Sequence, residues 1–75
     1  MSKLAVGNIY KHYKGWYYIV EALAKCAETK ENMVVYRALY GNKQIWVRPV
    51  KEFIGEVDGK GYYRFEEVTS IIEGA

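Results

Sequence analysis

A chain of 75 residues has room for one domain with a core of minimal size, since a domain near this length buries roughly 60% of the surface its unfolded form exposes. The formal charge of +2 is too small to argue by itself for nucleic acid, no apolar run is long enough to span a bilayer, and no basic start leads into an apolar run of signal-peptide length. Cys26 is the single cysteine, which excludes an intrachain disulfide and points to a reducing compartment, the cytoplasm.

The aromatic share is 16%, with eight tyrosines, two tryptophans and two phenylalanines, more large rings than so small a core needs. Tyrosine is amphipathic, so most of these rings can bury their carbon faces and keep the hydroxyl in water, while a surplus is available as a recognition surface. Charge is unevenly spread. Residues 1–51 carry nine Lys or Arg against three acids, a balance of +6, and residues 52–75 carry two against six, a balance of −4. Both halves are expected to be solvated, with weak steering between them.

In chain order, a short lead-in reaches Gly7, which begins GNIYKHYKG, a strand of about six residues ending in the Lys14-Gly15 turn. Residues 16–26, WYYIVEALAKC, join an aromatic and β-branched half to a helix-forming EALAK. The first half has no start cap and the second is under two turns, so the whole is predicted as one long strand. Alternation then turns Tyr18, Val20, Ala22 and Ala24 inward and Tyr17, Ile19, Glu21, Leu23 and Lys25 outward. AETKEN, residues 27–32, is a polar hairpin connection.

Met33 to Phe53 carries the strongest pattern. Val34, Tyr36, Ala38 and Tyr40 share an uncharged, inward face, opposite Met33, Val35, Arg37 and Leu39. Gly41-Asn42-Lys43 supplies a turn, after which Ile45 and Val47 are expected inside and Trp46 and Arg48 outside. Pro49 lacks an amide donor, so this strand should stop at about Arg48, and Pro49 to Phe53 suits one helical turn anchored by Phe53. Residues 56–65 read as a second hairpin bent at Asp58-Gly59, and Val68, Ile71 and Ile72 in EEVTSIIEG have the spacing of a short helix. Ile19, Leu23, Val35, Leu39 and Trp46 are left on an outer face, to be covered by coiling of a barrel, by the last helix or by a second copy. The predicted architecture is a single all-β domain over residues 1–75, a small SH3-like β-barrel of about five strands with a helical turn.

The chain resembles the small bacterial and phage domains of domain-of-unknown-function family 1653. The matching pieces are Gly7, Tyr10, His12, Lys14 and Gly15; Tyr18 and Val20; Glu28, Thr29 and Glu31; Val34, Tyr36, Leu39, Tyr40 and Gly41; Trp46-Val47-Arg48-Pro49, Phe53 and Arg64-Phe65. LYG followed by WVRP is the specific part, and the resemblance covers residues 7–65, leaving 66–75 outside it. It implies an SH3-like barrel and carries no function. Members often have glycine in the bend after Glu-Thr, where this chain has Lys30, which implies a hairpin closed differently here.

His12 is the only histidine, so no histidine pair exists to hold a metal, and neither metal nor cofactor is expected. Cys26 with His12 would supply a nucleophile and a base, but no third group is identifiable to orient them and the glycines form no phosphate loop, so the chain reads as non-enzymatic. Glu28 and Glu31 read as partners of Arg37 or Arg48 across a hairpin. Trp46 and Arg48 share a strand face. On the plainer account Trp46 packs under the last segment and Arg48 pairs with Glu28 or Glu31; on the functional account ring and guanidinium are presented together. Tyr10, His12, Tyr13, Lys14 and Tyr40 would then join Trp46 and Arg48 in one aromatic and basic ligand-binding surface.

The function expected from this surface is protein interaction, with a protein or peptide ligand or a second copy of the chain held by Trp46 and the tyrosines and oriented by Arg48 and Lys14. The alternative is binding of RNA or single-stranded DNA, with tyrosines stacked on bases and Lys11, Lys14, Lys43 and Arg48 on phosphates. Its modest net charge and acidic end segment count against that alternative, and no membrane partner is expected.

Overall fold

The computed structural model describes residues 4–68. Within them lie five strands, β1 (Ile9–His12), β2 (Tyr17–Lys25), β3 (Asn32–Ala38), β4 (Ile45–Pro49) and β5 (Phe65–Glu67), and one helical turn, α1 (Val50–Phe53). All strand pairs are antiparallel, in the order β4-β3-β2-β1-β5. The sheet is open, because no ladder joins β4 to β5 among the described residues. No helix among them is long and apolar enough to cross a membrane.

Strand β1 ends at the expected Lys14-Gly15 turn, where the His12 N–H donates to Trp16 O and the Gly15 N–H to His12 O, each at 2.7 Å. Strand β2 is extended through EALAK. Pairing with β3 from Tyr18 to Lys25 overrides the local helical preference of that fragment. A bulge between Val20 and Ala22 corrects the expected alternation. One extra residue exchanges the two faces. Tyr18 and Val20 point inward as expected, but beyond the bulge Leu23 lies opposite the buried Val34, while Ala22 and Ala24 lie opposite Val35 and Met33 on the outer side.

The alternation expected for β4 is also reversed. Trp46 lies opposite Tyr36 and Arg48 opposite Val34, both buried residues of the core face, whereas Ile45 and Val47 lie opposite Arg37 and Val35 on the outer face. The turn over residues 39–44 sets this register, and a slip of one residue would invert it. Pro49 closes β4, which tolerates it because β4 is an edge strand.

Tyr10, Tyr18, Val20, Val34, Tyr36, Ala38, Phe53 and Phe65 form the core on one side of the sheet. Phe53, the expected anchor of α1, is fully buried; it stacks on Phe65 at 4.1 Å and meets Tyr10 and Tyr36 edge to face at 5.1 and 5.2 Å. Gly55 follows α1, and a Cβ there would stand 2.7 Å from Lys51 O, so the chain leaves the turn along a path only glycine permits. The next hairpin is reduced to one bridge, Glu56 to Tyr63, and bends at Asp58-Gly59 as expected, with Gly59 at φ 61°. Glu66 and Glu67 are strand rather than the start of a helix: they lie opposite Lys11 and Tyr10, and the Val68 N–H donates to Ile9 O at 2.9 Å. The ladder to β1 overrides their helical spacing. Ile71 and Ile72 of the expected helix lie outside the described residues.

Candidate functional site

Inward positions of β2 and β3 place Tyr18 and Tyr36 side by side, edge to face at 5.3 Å, as the buried floor of an aromatic row. Tyr40, two residues past β3, shares a 2.7 Å hydroxyl–hydroxyl hydrogen bond with Tyr18. Trp16, directly after the β1–β2 turn, lies on Tyr40 at 4.6 Å. At the other end the Tyr36 hydroxyl accepts a hydrogen bond from Arg48 Nε at 3.2 Å. Burial, and then the bond to Tyr40, push the Tyr18 phenol above its ordinary range, so it stays neutral. Partial burial works against the Arg48 cation, but its bond to Tyr36 and the Glu52 carboxylate outweigh this and keep the guanidinium charged.

His12 joins this row to a second flank. Its ring packs on Tyr13 at 4.5 Å and on Phe65 at 4.9 Å, and stands 6.3 Å from Tyr18. Its Nδ1 accepts the Lys14 N–H at 3.2 Å, which leaves Nε2 to carry the proton of the neutral ring. Burial first, and then the charges of Arg48, Arg64 and Lys14, hold its pKa below the usual 6.5. Tyr13 packs against Tyr62 at 5.5 Å, and Lys14 Nζ lies 5.8 Å from the centre of the Tyr13 ring. Lys11, His12, Tyr13, Tyr62, Tyr63 and Glu66 line a groove of about 310 Å³ here, at the small end of the range for ligand clefts.

Of the residues expected at a site, His12, Tyr13 and Lys14 gather on one flank, and Tyr40 and Arg48 belong to the aromatic row. Trp46 is half-exposed on the same side of the sheet, opposite Tyr36. Tyr10 does not join them: its side chain is 1% exposed and packs on Phe53 in the core. Arg48 pairs with Glu52 at 3.4 Å rather than with Glu28 or Glu31, Glu31 pairs with Lys51 at 3.5 Å, and Arg37 pairs with Glu21 at 2.7 Å. Trp16, Tyr62, Tyr63 and Arg64 enter the surface without having been singled out. The signal for Tyr62, Tyr63 and Arg64 was Gly61-Tyr62-Tyr63-Arg64, an aromatic pair in a turn-rich stretch with no core alternation to account for it. Cys26 sits past the far end of β2, ten residues beyond the Trp16 that faces His12, a separation of about 30 Å along an extended strand. Its thiol is lowered by a hydrogen bond from Thr29 and by backbone amides of that loop, and it forms no pair with His12.

The family described as protein of unknown function (DUF1653) matches residues 8–67. The chain belongs to the DUF1653 family. The match runs two residues past Phe65, so it takes in the whole of β5. Among solved structures, the crystal structure of a DUF1653 protein from Bordetella bronchiseptica is similar, with a TM-score of 0.73 and 33% identity over 88% of each chain. No curated protein matches the chain. What the surface of this DUF1653 domain binds therefore rests on the chemistry of its own residues.

Proposed function

We propose that this domain is a non-enzymatic, SH3-like binding module of the cytoplasm that docks a segment of a protein partner on the aromatic and basic face between Trp16 and Tyr62. One observation carries the reading: Trp16 and Trp46, 52% and 51% exposed, flank a floor of tyrosines in which Tyr18 is hydrogen-bonded to Tyr40, Tyr36 to Arg48, and Tyr18 meets Tyr36 edge to face. Rings held in this way offer large contact area at low entropic cost. Support for the SH3-like label comes from the strand order and from the helical turn between β4 and β5. The lone cysteine fits a reducing compartment. Arg48, Arg64 and Lys14, whose charges all bear on His12, favour the second reading, in which the same rings stack on unpaired bases.

An array of short random peptides, probed with purified protein at low and high salt, tests the proposal. Peptides should be retained, retention should change little with salt, and Trp16→Ala and Trp46→Ala should each weaken it about tenfold with an unchanged far-UV spectrum. Retention of a mixed-sequence RNA instead, falling steeply with salt, would reject protein docking in favour of nucleic acid.

A further inference from the structure

The two edges of the sheet differ in how they are protected. Strand β5 carries Glu66 and Glu67, charges of the kind that keep an edge from pairing, whereas Ile45, Trp46 and Val47 of β4 are uncharged and 44%, 51% and 60% exposed. The ladder decides which β4 groups face outward. The Ala38 N–H donates to Gln44 O at 2.9 Å, so Gln44, Trp46 and Arg48 turn their backbone groups toward Ala38, Tyr36 and Val34. Ile45 and Val47 lie between them and direct N–H and C=O away from β3, where no strand pairs with them among the described residues. Ile45 O accepts the Gln44 side-chain amide at 3.2 Å and keeps a second lone pair.

We infer that β4 pairs antiparallel with β4 of a second copy of this chain, about a two-fold axis at Trp46, to make one continuous sheet. The occupant is a second copy because Ile45-Trp46-Val47 is complementary to its own reverse. With Trp46 opposite the second copy's Trp46, each Ile45 faces a Val47, and the outward N–H and C=O groups of both residues are met in both copies. Side chains match in the same register. On the outer face Ile45 meets Val47, and on the core side the two indoles stand across a non-hydrogen-bonded pair, where side chains are closest. Arg48 falls opposite Gln44, so no like charges oppose one another. An axis at Val47 would set Ile45 against Pro49, which has no N–H and whose carbonyl, at the N-cap of α1, accepts the first helical bond. Pro49 and the left-handed turn residue Lys43, φ 60°, confine the pairing to a short run, which makes a dimer that dilution separates. The aromatic face then continues across the axis from one Trp46 to the other, whatever that face docks.

Sedimentation equilibrium of the full chain over a dilution series tests the pairing. Apparent mass should climb with concentration toward twice that of one chain; a single-chain mass at every concentration up to about 1 mM overturns the inference. Val47→Lys sets a charge at an exposed edge position and should weaken association about tenfold. Val47→Pro removes the outward N–H while leaving the bonds to β3 in place, and should do the same. If the proline variant does not fold, the lysine variant decides, and unchanged association in Val47→Lys overturns the β4 edge as the interface. In a mixture of isotope-labelled and unlabelled chains, an intermolecular NOE should join the Hα of Trp46 in one copy to the Hα of Trp46 in the other. Intermolecular NOEs confined to other surfaces overturn the register and the edge together. A chain that dimerises but retains no peptide sinks protein docking alone, and a monomer that retains peptides sinks the dimer alone.

Discussion

Lys30 holds a left-handed backbone, φ 65°, in the bend between β2 and β3, with its N–H donating to Cys26 O at 2.7 Å. The resemblance to relatives with glycine in this bend suggested a different closure; Lys30 instead adopts the conformation that glycine favours. A left-handed lysine costs about 1–2 kcal/mol, and glycine gives part of that back as chain entropy. Lys30→Gly should therefore stabilise the domain by about 0.5–1 kcal/mol, seen as a higher urea midpoint at constant slope. His12 is the residue that links the face to pH. Its pKa is held below 6.5 by burial and by Arg48, Arg64 and Lys14, so on acidification the unfolded chain takes up a proton first. Its contribution to stability is complete above the unfolded value of about 6.5 and is lost as pH falls toward the folded one. The His12 ring should titrate below 6.5 by NMR, and His12→Gln should flatten this part of the stability profile; a midpoint above 6.5 would contradict the charge arrangement of the site.

Among the elements, α1 is four residues long and matters through one side chain. Phe53 closes the open side of the sheet, touching Tyr10, Tyr36 and Phe65. Phe53→Ala removes those contacts and should cost about 3–5 kcal/mol, a large share of the stability of a domain this small, read as a collapse of the urea midpoint. The turn and its anchor were legible because Pro49 stops a strand whatever the surroundings. The strands were legible because β-branched and aromatic runs between turn residues have few other uses. Their faces were only partly legible. Tyr18, Val20, Val34, Tyr36 and Ala38 obey simple alternation, but the bulge after Val20 and the register of β4 are pairing choices made between strands. Trp46 and Arg48 were correctly placed together, and on the wrong side.

For the molecule as a whole, the uneven charge has a structural outcome. The start of the acidic segment is β5, held to the basic part by its ladder to β1 and by the 3.1 Å bond from Asn8 Nδ2 to Glu67 Oε2. The three ion pairs among the described residues are all substantially exposed, with side chains between 30% and 82% accessible. Pairs of that kind contribute about 0–1 kcal/mol each and are screened by salt. Raising sodium chloride from about 0.05 M to about 0.5 M should shift unfolding free energy by less than about 1 kcal/mol, measured by urea denaturation; a larger loss would mean that charge, rather than ring packing, holds the domain together.

The chain by itself determined the all-β class, the positions of the turns, the helical turn after Pro49, the inward residues of β3 and a surplus of rings, because each follows from local stereochemistry or from period-two burial. Tertiary structure alone decided that the sheet stays open, that Tyr10 lies in the core, that the bulge exchanges the faces of β2, and that Trp46 and Arg48 face the core side. Those outcomes depend on strand register and on which distant segment covers a surface, and neither is encoded in the spacing of residues along one strand.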